Sequence, residues 1–350
     1  MNWHGLTATA MDPPTLIRWC VMNIACRLLA LILCVVLLPA PPARADEPLE
    51  EVLVTGQQPG PGLWKVTRAG DPDGHVLWIL GNHSPLPKKM TWRSTELAAV
   101  LSASQAVLAP VSVSASAGPL GGITLLPSLI GVRRNPDDKR LQEVVPADLY
   151  SRWVPLKARY LGNDDSVEDW RPIFAAQELY RAALKQGGLV PYDGVWPAVE
   201  KLARKARVPI TEPGIELKVE KARASIKEFK SLPLADVECF ARTLQRLESD
   251  LGLMRERANA WAAGDVARLR QLAPVERASA CIGVMLNSSF MQERGYGDLL
   301  TRVRNAWVDA AETSLANNVS TLAVLSVDEI LKPDGYVAEL KKRGFVVADP

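Results

Sequence analysis

Few side chains in this protein can bind a metal or move a proton near neutral pH. The chain has three histidines. His4 lies in an N-terminal leader and His75 beside a turn. His83 leaves the apolar run Leu77-Trp78-Ile79-Leu80-Gly81 and enters the polar loop Asn82-His83-Ser84-Pro85. An imidazole at the mouth of a strand can serve as one ligand of a hydrolytic metal. Ser84 next to His83 has the residue types of a nucleophile and its base. Adjacent residues rarely align as a hydrogen-bonded pair, however, and no orienting acid is evident. Gly121-Gly122 is not a phosphate loop, because no lysine follows and no helix is expected there. His83 therefore has two readings on residue type alone, a metal ligand or a polar residue closing a strand end.

The compartment is read from the N-terminus. Leu28 to Leu38, LLALILCVVLL, is an apolar run behind Arg27, followed by Ala43-Arg44-Ala45 as a small-x-small cleavage signal. This is the pattern of a secretory signal peptide cut after Ala45. The run is shorter than the ~20 residues that span a bilayer, and a start at Met22 would give a leader of ordinary proportions. The expectation is an exported, periplasmic protein. Of 41 basic and 39 acidic residues, the leader removes Arg18, Arg27, Arg44 and Asp12, leaving 38 of each. A neutral chain with no basic patch argues against nucleic acid. Cys20, Cys26 and Cys34 leave with the leader, so Cys239 and Cys281 remain. In an oxidising compartment two such cysteines most often form a disulfide.

Asp46 to Gly62 is acidic and then rich in Pro and Gly, a flexible tether. The elements that must hold His83 in place follow. Leu63 to Leu80 reads as a β-hairpin around AGDPDG, with His75 expected in solvent. A helix is expected from Thr91, capped by Thr91 or Ser94 and with Leu97, Val100 and Leu101 on one face, then a strand at Ala106 to Val113. Beyond Arg133 the spacing is helical over 146–161, 170–185, 196–206, 218–232, 234–263 and 274–291, with a short strand in VPITEP. Glu248, Asp250, Arg255, Glu256 and Arg257 crowd one of these helices and read as i,i+4 pairs on a solvated face. A helix over 298–316, a buried strand STLAVLSV, a KPDG turn, a helix over 336–343 and the strand FVVAD close the chain. These elements predict an α+β fold over 63–350, with a mixed central sheet, flanking helices and a helical insertion. One window stands apart. From Leu97 to Val132 there is no charged side chain, and its second half, 117–132, is either folded over the core or an exposed apolar lip for a membrane or hydrophobic partner.

The two ends of the domain together resemble a known family. Leu63-Trp64-Lys65-Val66 and Leu77-Trp78-Ile79-Leu80-Gly81 form its opening hairpin. Pro333-Asp334-Gly335-Tyr336 through Gly344-Phe345-Val346-Val347 form its closing segment, and Arg304-Asn305-Ala306-Trp307 is similar to its Arg-Asn helix feature. This pattern resembles the TraB/PrgY/GumN family, which includes the Tiki-type membrane metalloproteases. The resemblance implies a metal site of two Gly-x-x-His motifs and a glutamate at the end of the second strand. This chain departs from each. The first motif reads Gly81-Asn82-His83-Ser84, with serine at the ligand position and histidine one residue early. The second reads Ser326-Val327-Asp328-Glu329, with Glu329 in place of histidine. No acidic residue lies between Glu96 and Asp137, so the glutamate near Ala109-Pro110 is absent.

The expectation is therefore a non-catalytic relative that binds an unknown ligand or partner, without a cofactor, in a cleft lined by Gly81, Asn82, His83, Ser84, Ser326, Asp328 and Glu329. Arg304 and Asn305 lie nearby, and Arg304 either holds an anionic group or pairs with Asp328 or Glu329. The alternative is a divergent metal-dependent hydrolase or peptidase using His83 with Asp328 and Glu329.

Overall fold

The strand Ser320–Ser326 (β9) is buried along nearly its whole length and needs neighbours on both edges. Such a run is what the centre of a sheet covered on two faces requires. In the computed structural model, residues 60–71, 74–116, 121–190, 195–219, 221–231, 236–249, 251–272 and 285–350 are described. The leader, most of the tether, Cys281 and most of the helix expected over 274–291 lie outside them.

β1 (Leu63–Arg68) and β2 (Val76–Asn82) form the expected antiparallel hairpin, with Leu63 opposite Leu80 and Val66 opposite Leu77. β2 then pairs in parallel with β9, from Val76 beside Ser320 to Asn82 beside Ser326. The helix α1 (Thr95–Ala103) buries Leu97 and Leu101 as the spacing predicts, and leads into β4 (Ala106–Leu108), which lies parallel to the other edge of β9. β7 (Ile210–Thr211) extends that side and β10 (Phe345–Ala348) closes the β1 edge. The six-stranded order is β10-β1-β2-β9-β4-β7, a mixed α+β sheet. Trp64, Leu77, Ile79, Leu322, Val324 and Trp307 form its core.

The insertion between β4 and β9 carries its own core. α2 (Gly121–Leu129), α3 (Leu141–Val144), α4 (Ala147–Tyr160) and α5 (Pro172–Gln186) are followed by α6 (Trp196–Ala206), α7 (Ala222–Ser231), α8 (Val237–Ser249), α9 (Leu251–Ala262), α10 (Val266–Gln271) and α11 (Ser289–Gln292). α4, α5 and α8 meet around Trp153, Leu179, Phe240 and Leu244. Trp153 lies 5.4 Å from the Phe240 ring and donates its indole N–H to Glu168 at 2.9 Å. α12 (Leu299–Asn317) packs on the sheet, and α13 (Val327–Leu331) and α14 (Tyr336–Lys342) flank the last turn. Residues Gln57–Pro350 make one compact unit.

Several expectations need correction. The strand expected over 106–113 stops at Leu108, because Pro110 has no N–H for the ladder. Val113 belongs instead to β5 (Ser112–Ser116), which pairs with β8 (Gly214–Lys218) in a separate two-stranded sheet. The helix expected over 234–263 is helical over Val237–Ser249 (α8) and Leu251–Ala262 (α9), and Asp250 lies outside the described residues. A helix does follow Gly121, since α2 begins there. His75 is half-buried and its Nδ1 bonds the Leu315 carbonyl oxygen at 2.8 Å. The uncharged window divides: Leu97, Leu101 and 106–109 are core, whereas Leu126, Leu129 and Ile130 are exposed.

Candidate functional site

Because β2 and β9 are parallel and in register to Asn82 and Ser326, the loops that leave them start side by side. β4 points the same way and ends beside Ala323, bringing Ala109-Pro110 to the same edge. This is the carboxyl end of a parallel set, where open sheets place their ligand crevices. The topology thus joins the Gly81–Ser84 and Ser326–Glu329 loops, although Ser84 and Ser326 are 242 positions apart in the chain.

The first loop is held tightly. A Cβ on Gly81 would stand 3.0 Å from the Trp64 ring and 3.3 Å from Val327, so a larger residue would need both neighbours to give by a few tenths of an ångström. The Gly81 carbonyl oxygen accepts the Trp261 indole N–H at 2.6 Å. The same indole stacks on the His83 ring at 6.4 Å and 30°, and Trp92 meets it edge-on at 5.7 Å. His83 is completely buried. Asn82 Oδ1 accepts the Val195 backbone N–H at 3.0 Å, tying the loop to the start of α6. The Ser84–Pro85 peptide is cis. Ser84 is half-buried, and behind it β3 (Leu86–Pro87) pairs with β6 (Leu189–Val190).

The second loop is the first turn of α13, a helix not anticipated from its sequence. Asp328 Oδ1 accepts Arg257 Nη2 at 2.5 Å, and Arg257 is 1% exposed. Through Nη1, Arg257 also donates to the Leu269 and Leu272 carbonyl oxygens at 3.1 and 2.7 Å, tying down the end of α10. The residue expected on a wet face is thus a buried cation at the cleft, and it, rather than Arg304, pairs with Asp328. Burying the charge is tolerable because a carboxylate and two carbonyls receive it.

Glu329 faces a different group. Burial of the Tyr336 phenol, first, and the nearby Glu329 carboxylate, second, push its pKa up to about 12, with Arg304 opposing. Arg304 Nη1 donates to the Asp334 carbonyl oxygen at 3.0 Å, and Trp307 meets Tyr336 edge-on at 5.6 Å. Arg304 therefore braces the turn before α14 near Glu329, and Asn305 is exposed on the next helical position.

The donor set does not suit the divalent ion that the sequence motifs imply. Asp328 is engaged by a guanidinium, and a second cation on that carboxylate would meet its repulsion. The His83 ring is completely buried, with the Trp261 indole centroid 6.4 Å away. Among the described residues no group of three or more His, Cys, Asp or Glu side chains is arranged to hold a metal. Arg257 and Trp261 were missed in the sequence, although a signal was there. Met254, Arg257, Ala258 and Trp261 fall at i, i+3, i+4 and i+7, and all four are buried. That stripe makes the arginine part of the inward face of α9.

Compared with known families, residues 62–349 match the model of the TraB/PrgY/gumN family. No match to a curated protein or to a solved structure was found.

Proposed function

The chain belongs to the TraB/PrgY/gumN family, and from that premise we propose that it is an exported, non-catalytic protein that binds a ligand or partner in the cleft at the ends of β2 and β9. The observation that carries this reading is Arg257 on Asp328. A fixed guanidinium stands where the motif positions would gather a metal, so the cleft has a cation of its own and no carboxylate left uncommitted at Asp328. An arginine supplies charge and directed N–H donors but no activated water, which is the step a hydrolytic metal provides. The half-buried Asn82, Ser84 and Glu329 would offer polar contacts to an occupant.

The signal peptide cut after Ala45, the tether and a Cys239–Cys281 disulfide belong to the same reading. Cys239 is buried on α8, where a disulfide would tie the insertion core to the segment before α11. The periplasm is the compartment that suits all three.

Elemental analysis of the purified processed chain, after incubation with zinc or manganese, tests the central claim. No stoichiometric metal is expected, with or without the His83→Ala substitution. Stoichiometric metal that disappears in His83→Ala would instead establish the divergent hydrolase. N-terminal sequencing of the exported form is expected to begin at Asp46, and any other start removes the cleavage assignment.

A further inference from the structure

The exposed half of the uncharged window is built against a basic helix, and this lip stands apart from the cleft. On and just after α2, Leu126, Leu129 and Ile130 are 60%, 45% and 76% exposed. Single exposed leucines are ordinary, but three within five residues make a contiguous apolar tip. α7 lies alongside. Arg223 donates to the Thr124 carbonyl oxygen at 3.0 Å, and Lys230 donates to the Ile130 carbonyl oxygen at 2.5 Å. The two helices therefore run side by side in the same direction. The groove between them encloses about 880 Å³ and is lined by Leu125 and Ala222 with Lys221, Arg223, Lys227 and Lys230, and, among the described residues, by no acidic one. Glu228 on the same helix is engaged by Arg294.

We propose that the α2–α7 lip is a docking site for an anionic phospholipid bilayer, with Leu126, Leu129 and Ile130 entering the interface and Lys221, Arg223, Lys227 and Lys230 meeting the headgroups. The charge is complementary to such a surface and to no neutral one. The mature chain is neutral overall, so four cations around one apolar tip are a local feature rather than a general basic character. An apolar face of this size inserts only shallowly, and the cations supply the remaining attraction. Among the described residues no helix is long and apolar enough to cross a membrane, so the contact is peripheral.

Flotation of the processed chain from Asp46, which keeps the whole compact unit, tests this with vesicles of equal parts phosphatidylglycerol and phosphatidylcholine. Binding is expected to the mixed vesicles, to weaken as salt rises, and to be absent with phosphatidylcholine alone. The double variants Leu126→Ser with Ile130→Ser, and Lys221→Glu with Lys227→Glu, should each lower partitioning at least about tenfold while leaving the thermal midpoint unchanged. Absence of flotation, equal binding to neutral vesicles, or insensitivity to both double variants overturns the proposal. Saturable binding of monomeric laurate without vesicle binding also overturns it, and assigns the groove to a free amphiphile.

Discussion

Two buried arginines anchor two faces of this molecule, and they are satisfied in different ways. Arg257 at the cleft meets a carboxylate, Asp328, and two carbonyls. Arg171, beneath the lip, is tied to carbonyls: that of Arg134 at 3.2 Å and those of Phe229 and Lys230, each at 2.8 Å, while its guanidinium stacks on Phe229 at 4.9 Å. Asp236 is close enough to be felt but sits on the Ile173 backbone N–H instead, at 3.1 Å. The first arginine neutralises an acid in a site, whereas the second collects backbone carbonyls of α7 and of Arg134. A buried cation at a cleft thus alters what the cleft can bind. One under a surface feature only positions it.

The largest effect that would sharpen this contrast is at Arg257. Arg257→Ala leaves Asp328 without its buried partner and opens the end of α10, so a loss of about 3–5 kcal/mol is expected in urea unfolding. The paired change Arg257→Met with Asp328→Leu should recover most of it, because it removes both charges. A single variant as stable as wild type would erase the distinction between the two arginines. Arg171→Met should cost less, about 1–3 kcal/mol, since it strands neutral carbonyls rather than an ion. It should also shift α7 and weaken vesicle binding, while the metal content of the cleft is unaltered.

The smallest effect is at Asp236. Burial is the main cause raising its pKa above the ordinary 3.8, with the Ile173 N–H and Arg171 opposing. The folded chain therefore holds this proton more tightly than the unfolded one. Its contribution to stability is full below pH 3.8 and is lost as pH rises through the higher folded value. Compared with wild type, Asp236→Asn should lose less stability between acid and neutral pH, measured as thermal midpoints across that range. Parallel curves for the two proteins would mean that Asp236 titrates normally.

Much of the sheet was legible because its strands are local patterns. Alternation in Leu63–Arg68, the apolar runs of β2 and β9, and the turn residues between them are written in consecutive residues. The cleft was legible only through the spacing of its motifs, Gly81 to Ser84 and Ser326 to Glu329. The chemistry inside it was not, because Arg257 and Trp261 come from a helix whose charged neighbours disguise its inward stripe. The unforeseen α13 has the same origin, since local spacing carries no information about which side will be covered.

The sequence by itself determined the apolar runs that build the sheet and the scarcity of imidazole, since composition and spacing are properties of the chain alone. Tertiary structure decided what surrounds the strand ends. It brought a guanidinium onto Asp328, set an indole near His83, and turned Leu126, Leu129 and Ile130 outward beside the cations of α7. Those outcomes depend on contacts between segments up to 180 residues apart, as in the bond from Trp261 to Gly81. No periodicity within one segment encodes such a contact, because it is fixed only when the helices of the insertion close on the sheet.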